Sequence, residues 1–290
     1  MQQNSPYRIL EPTPKLRPFI RRLLVADSSY PINQVVRPAP TGYNYIGWIF
    51  SGSIHGQVDG KPLPASSLSK LHVSGQIQYQ EIEVVYSGKL GHILAECSAT
   101  GLYQLTGIPG EKIHAVSTNV DTLAPEVAAK IDPALENITD DLSDTTTDRA
   151  THRVEVFQTQ LCSLLEEAIS VPEYISTAVQ IIENAKGNIQ IADVLSQLNV
   201  SPRQLRRSFK KIVGVTPKYF AKVLQMNKLL QALYSNDNDT LNKLGQEAGF
   251  YDQAHFINVM QQFFSSSPRA FLQSSEPLLA VFLAESRNCL

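Results

Sequence analysis

Between Ser201 and Lys228 the chain carries eight Lys and Arg residues and no Asp or Glu. A solvated helix face ordinarily mixes both signs, so an unbroken cationic block implies an anionic surface opposite it. The block is also patterned. Ser201 is placed to cap a helix, Pro202 falls in the first turn where its missing N–H is not needed, and Gln204 stands where it completes a capping box. At about 100° per residue, Leu205, Phe209 and Ile212 gather on one face of that helix. Arg203, Arg206, Arg207, Lys210 and Lys211 gather on the opposite face. Such a helix must lay its apolar side on a core and turn its cations outward. Gly214 marks its end.

The surrounding sequence reads as helices and turns. Ile191 to Leu198 predicts a short helix and Asn199–Val200 a turn, which makes the cationic segment the second helix of a helix-turn-helix unit. Thr216–Pro217 opens a long helix running to about Ser235. The arrangement then repeats. Thr240 caps Leu241 to Ala248, Gly249 supplies the turn, and Phe250 packs beneath it. A helix from Asp252 to about Phe263 buries Phe256, Val259, Met260 and Phe263, leaving Gln253, His255 and Asn258 outward. Ser267–Pro268 caps a last short helix. Helices of this kind fit the major groove, where Arg bonds guanine bidentately.

Charge divides the chain in the same place. Residues 1–172 hold 13 Lys and Arg against 18 Asp and Glu, a net of −5, whereas residues 173–274 hold 11 against 7, a net of +4. The acidic part has a different texture. From Tyr43 to about Leu105 the segments YIGWIF, IHGQVD, SKLHV, QYQEIEVVY and HILAEC are β-branched or aromatic rich. Ser-Gly and Asp-Gly pairs and an SGKLG stretch punctuate them. Short strands at this spacing predict an antiparallel sandwich or cupin-like barrel. After Ile113 the pattern turns helical (DTLAPEVAAKI) and then polar and acidic (NITDDLSDTTTD), which reads as a surface loop. A helix over Thr151 to Ile169 carries one apolar stripe, Val154, Phe157, Leu161, Leu164, Leu165 and Ala168. That stripe is either a core face or a helix–helix dimer seam. Ser170 and Glu173 have the spacing of a capping box for the next helix, ending near Lys186–Gly187.

Two stretches, IADVLSQLNVSPRQLRRSFKKIVGVTPKYF and EAGFYDQAHFINVMQQFFSSSPRAF, carry a resemblance to the paired helix-turn-helix domain of the AraC/XylS transcription regulators. The second, in which Gly249–Phe250 is followed by Asp252, Ala254–His255–Phe256 and then Ser267–Pro268, is the more specific. Residues 173–274 resemble that domain strongly, and the N-terminal region is similar to the β-rich sensor domains of the same family. The resemblance implies an α+β protein in four parts. These are a β-rich sensor and dimerisation domain (1–148), a linker helix (149–170), a paired helix-turn-helix DNA-binding domain (171–274) and a C-terminal tail (275–290). It implies recognition helices over 202–213 and 252–263. Base reading would come from Arg203, Arg206 and Arg207 in the first, and from Gln253, Ala254, His255 and Asn258 in the second. Gln204, Lys210 and Lys211 complete the expected DNA-contacting set.

The second unit departs from the family pattern. Met260, Gln261 and Gln262 stand where Phe-Lys-Arg is usual, Ser265 where Gly is usual, and Leu272 where an Arg is common. Thr240 to Phe264 holds one Lys against Glu247 and Asp252, so this unit is expected to grip phosphate poorly.

Other candidates read as structure. His55, His72, His92 and His114 lack the His-x-His pair with a following Glu that a metal-binding cupin shows, so they are expected as packed or surface histidines without a metal. Tyr43, Tyr45 and Trp48 read as strand core in preference to an effector pocket. Cys97, with no activating base nearby, reads as a small buried hydrophobe. No paired carboxylates, P-loop or nucleophile–base pair supports catalysis, and a DNA-repair enzyme wearing this domain would need clustered cysteines. The expectation is a regulator that is not an enzyme and uses no cofactor. Double-stranded DNA is the expected partner, with a small-molecule effector and a homodimer left open. The alternative is a β-rich interaction module with a degenerate helical domain. Three scattered cysteines, no apolar run near 20 residues and no leader-like N-terminus point to the cytoplasm and away from a membrane.

Overall fold

The computed structural model describes residues 7–28, 30–62, 71–79, 81–113, 118–136, 146–234 and 253–264, with the backbone alone at 146–148, 232–234, 253–256 and 264. Its N-terminal part is an antiparallel sheet of eight strands: β1 (Tyr7–Leu10), β2 (Ile20–Asp27), β3 (Ile32–Val36), β4 (Tyr45–Val58), β5 (Lys61–Pro62), β6 (Leu71–Ser74), β7 (Ile82–Cys97) and β8 (Thr118–Asn119). The path is β1-β2-β7-β4-β6-β8. Strand β3 continues the pairing on β7, and β5 closes a hairpin on β4.

The two long strands carry most of this architecture, and both run through glycines that read as breaks in the sequence. Around Ser51–Gly52 the β4–β7 register shifts twice, with Gly52 at φ +78° and Gly88 across from it at φ +84°. A glycine in the left-handed region lets one strand absorb an extra residue and bend, so these sites are bulges in continuous strands. Asp59–Gly60, by contrast, is the hairpin turn between β4 and β5, both residues having positive φ.

Strand β2 explains why LLVA is apolar without alternation. Leu23 and Val25 point into a core shared with Trp48, Ile93 and Phe157, while Leu24 and Ala26 point into a second core with Tyr7, Ile54 and Tyr86. Both faces of this strand are covered. The first core lies between the sheet and helices α1 (Gly101–Thr106), α2 (Val120–Leu123), α3 (Pro125–Glu136) and α4 (Thr146–Ser163). The apolar stripe of α4 is spent there. Val154, Phe157, Leu161 and Leu164 are buried on the chain's own sheet, Phe157 stacked on Trp48 at 6.3 Å, so the core-face reading holds and no helix–helix seam is open. After Ser163 the chain tightens into a 3-10 turn, Leu164–Glu167, and α5 (Glu173–Asn184) follows.

The capping box expected at Ser170 and Glu173 does not form. Pro172 is the N-cap of α5, with no side-chain bond to the helix. The Ile169 N–H donates to the Gln104 carbonyl at 2.7 Å, which draws the preceding segment onto α1.

One buried carboxylate inside the β domain is paired several times over. Arg22 and Arg21 each reach Glu96 at 2.8 Å, and the Tyr45 hydroxyl donates to the same carboxylate at 2.9 Å. Burial alone would raise the Glu96 carboxyl, yet Arg22 and Arg21 outweigh it and hold it below its ordinary range. His72 and His92 are both buried with ring centroids 5.2 Å apart, and Nδ1 of His92 bonds the Tyr7 hydroxyl at 2.8 Å. Burial pushes His72 down to about 4 and His92 well below its usual value, so both are neutral packed rings near pH 7. Cys97 is buried and its thiol is pushed up, chiefly by desolvation. Trp48 and Tyr43 are core residues as expected, while His55 is exposed and His114 lies outside the described residues. Among the described residues no helix is long and apolar enough to cross a membrane, and no three His, Cys, Asp or Glu gather as a metal site.

The regular elements described in the C-terminal part are helices: α5, α6 (Ile191–Leu195), α7 (Pro202–Val213), α8 (Pro217–Tyr234) and α9 (Gln253–Phe264). Its core, built from Ile182, Leu205, Phe209, Phe220 and Leu230 among others, also takes in Ala39, Tyr43 and Ala99 of the β domain. The two parts therefore share buried surface. Polar contacts cross it as well: Tyr43 donates to Glu183 at 3.0 Å, Asn227 to the Thr41 carbonyl at 2.9 Å, and Asn44 to the Val213 carbonyl at 3.2 Å.

Candidate nucleic-acid interface

Helix α7 is built as its sequence predicts. The Ser201 hydroxyl accepts from the Gln204 N–H at 3.2 Å, Pro202 sits in the first turn, and Gly214 ends the helix at φ +99° with its N–H on the Lys210 carbonyl. Leu205, Phe209, Ile212 and Val213 are buried, and Phe209 meets Phe220 of α8 with ring centroids 5.7 Å apart. Arg203, Gln204, Arg206, Arg207, Lys210 and Lys211 are all exposed on the other side. Among the described residues none of these five cations is held in an ion pair. Lys211 leans toward the β domain, its Nζ lying 5.8 Å from the centre of the Tyr103 ring.

Helix α6 is shorter than predicted, ending at Leu195, and a run of turns carries the chain to Ser201. Helix α5 braces α7 from below through Tyr174, whose hydroxyl donates to Ser208 at 2.9 Å. Helix α8 starts where predicted, with the Tyr219 N–H on the Thr216 hydroxyl at 3.2 Å. At the bend between α5 and α6, Gly187 at φ +77° comes so close to α8 that a Cβ there would lie 1.9 Å from the Ala221 carbonyl oxygen. Only glycine allows that approach.

In the second unit α9 buries Val259, Met260 and Phe263 and leaves Asn258 exposed. The Gln253, Ala254 and His255 positions fall in its first turn, and their side chains lie outside the described residues, as do Thr240, Gly249, Phe250 and the Ser267–Pro268 pair. Helix α9 contains no Lys or Arg. A cation from α8 reaches it: the Lys222 Nζ donates to Gln262 at 2.9 Å. Partial burial, together with Lys218, pulls Lys222 below its ordinary value.

A set of residues from the β domain also bears on this surface, and the sequence pattern does not disclose it. Gly110 and Gly214 meet backbone to backbone, a Cβ on Gly110 falling 2.6 Å from the Gly214 nitrogen. Asn44 holds the last turn of α7, and Ile77 and Tyr79 touch α8 and α9. Tyr79 was expected within a strand over Gln78–Tyr86. That strand begins at Ile82, and Tyr79 sits at a bend with φ +58°. The one signal that could have marked this bend is the polar Gln78 to Glu81 run ahead of the apolar strand.

Residues 194–274 match the family model described as a helix-turn-helix domain, of AraC type. The chain is also similar to solved structures. The crystal structure of ToxT from Vibrio cholerae O395 is 12% identical, with 89% of this chain and 98% of that one covered and a TM-score of 0.43. A second structure of ToxT from Vibrio cholerae, in a P21 form, is 9% identical over 93% of this chain and 98% of that one, with a TM-score of 0.44. The AraC-like transcriptional activator CuxR is 14% identical over 73% of this chain and 75% of that one, with a TM-score of 0.25.

Proposed function

The chain carries an AraC-type helix-turn-helix domain, and from that premise we propose that it is a transcription regulator that reads a specific duplex sequence through two successive major grooves. Helix α7 lies in one groove and α9 in the next. The observation that carries this reading is the outer face of α7, five exposed cations opposite a fully buried apolar face with a formed cap. In the N-terminal turns, Arg203, Arg206 and Arg207 are the base readers, suited to the paired acceptors of guanine, with Gln204 beside them. Lys210, one turn further on, serves the phosphates, and Lys211 does so from the edge nearest the β domain. On α9 the readers are Gln253, Ala254, His255 and Asn258, of which amides suit adenine and the Ala methyl suits thymine. The β domain supplies the regulatory half. A small-molecule effector or a second copy of the chain would act on DNA through its contacts with α5, α7 and α8.

Selection of duplexes from a random pool by the purified full chain tests this. The expected outcome is a bipartite site whose halves lie about one helical turn, ~34 Å, apart. Enrichment of no sequence would favour the alternative, a β-rich interaction module whose helical pair no longer reads bases.

A further inference from the structure

The long helix α8 lies between the two recognition helices in the chain and is one part of their spacer. The structure assigns that role to a second element. Resting on the reading above, we propose that Tyr79 of the β domain is a positioning residue for α9, and that it sets the half-site spacing the protein accepts.

The residues around it form one cluster drawn from three parts of the chain. The Tyr79 ring meets Tyr219 of α8 edge-on at 5.1 Å and Phe263 of α9 edge-on at 5.5 Å. Tyr219 and Phe263 stack on each other at 5.6 Å, nearly parallel at 17°. The Lys222 Nζ lies 6.0 Å from the centre of the Tyr79 ring and 5.6 Å from that of Phe263, and it also holds Gln262 of α9. The Tyr219 hydroxyl donates to the Ile77 carbonyl at 2.8 Å, which pins α8 to the same bend. Each ring pair prefers one edge-to-face or stacked geometry, so the three rings together leave α9 little freedom to swing about α8.

The other recognition helix is tied to the same domain. Asn44 and the Gly110–Gly214 approach hold the C-terminal end of α7, and Gln76, just before the bend, donates to the Gly42 carbonyl at 2.6 Å. The β domain thus grips α7 at one point and α9 at another. The distance between the two helices is triangulated across it.

Two features mark Tyr79 as placed for this contact. Its φ of +58° lies in the left-handed region, which a bulky side chain seldom adopts unless the surroundings require it. It is also 53% exposed, so the ring is not there to fill the β-domain core.

The test uses the full chain and the bipartite duplex enriched from the random pool, rebuilt with one, two or three base pairs inserted or deleted between the half-sites. Wild type should lose at least tenfold in affinity for each change of spacing. Tyr79→Gly keeps the left-handed backbone at no steric cost and removes the side chain. It should cut the spacing penalty to threefold or less, while binding to the first half-site alone and the salt slope stay at wild-type values. Tyr79→Phe should restore the wild-type profile. A Tyr79→Gly protein with the wild-type spacing penalty overturns the proposal. A wild type that enriches no duplex overturns the reading beneath it, so the two failures are told apart.

Discussion

Helices α7 and α9 occupy equivalent places in the two units, and both bury an apolar face, Leu205, Phe209 and Ile212 in one and Val259, Met260 and Phe263 in the other. Outside, they differ. Helix α7 presents Arg203, Arg206, Arg207, Lys210 and Lys211, whereas α9 has no Lys or Arg and exposes the neutral Asn258. A cationic helix is held on a polyanion by charge and needs little further guidance. A neutral one has to be delivered at the right angle by the rest of the molecule. The contacts follow that division: three rings and Lys222 steady α9, while α7 projects its N-terminal turns freely.

The largest effect should come from removing the seat of the first unit. Phe209 is fully buried against Phe220, and Phe209→Ala should cost about 3–5 kcal/mol of folding stability. Urea unfolding at constant m-value measures it. A loss under about 1 kcal/mol would show that α7 is not seated on a packed core.

Acid should act through the other partner, the β domain that steadies α9. The His72 ring, held at about 4 when folded against an ordinary value near 6.5, refuses a proton that the unfolded chain accepts. Its contribution is therefore complete above about pH 6.5 and is lost as the pH falls toward 4, by roughly 3 kcal/mol from His72 alone. His92 works in the same direction. His72→Leu should flatten the dependence of the urea midpoint on pH in that window. An unchanged slope would mean that the folded protein takes up protons there by another route.

A smaller effect separates base reading from phosphate grip on α7. Arg206→Ala or Arg207→Ala should each weaken specific binding by about 1–3 kcal/mol and relax base preference in one half-site. Equal losses on specific and random duplexes would show that these side chains touch only phosphate.

What could be read without coordinates was what is local in sequence. The Ser201 cap, the Gly214 stop and the two faces of α7 all depend on residues within one turn of each other, and each was found where its spacing put it. The α8 start at Thr216 is of the same kind. Features that depend on a distant partner were hidden. Gly52 and Gly88 look like turns until β4 and β7 are laid side by side, when they become bulges. Strands β1, β2 and β3 were missed. The Arg21–Arg22 pair makes β2 look like surface, and its partner Glu96 lies 74 and 75 positions further on. The same holds for the candidate site. The cationic face of α7 was legible, whereas Tyr79, which acts only where a bend, α8 and α9 meet, is marked locally by no more than the polar run from Gln78 to Glu81.

On this division of labour the first unit holds the DNA and the second adds discrimination. Titration of the enriched duplex at several salt concentrations tests it most directly, with wild type, an Arg203/Arg206/Arg207→Ala protein and a Gln253/His255/Asn258→Ala protein side by side. Each phosphate contact contributes about 0.9 to the slope of log affinity against log salt. The arginine variant should lose more affinity than the second-unit variant at every salt concentration. The second-unit variant should keep the wild-type slope within about half a contact. A second-unit variant that loses more affinity than the arginine variant, or that flattens the slope by a contact or more, would contradict the account.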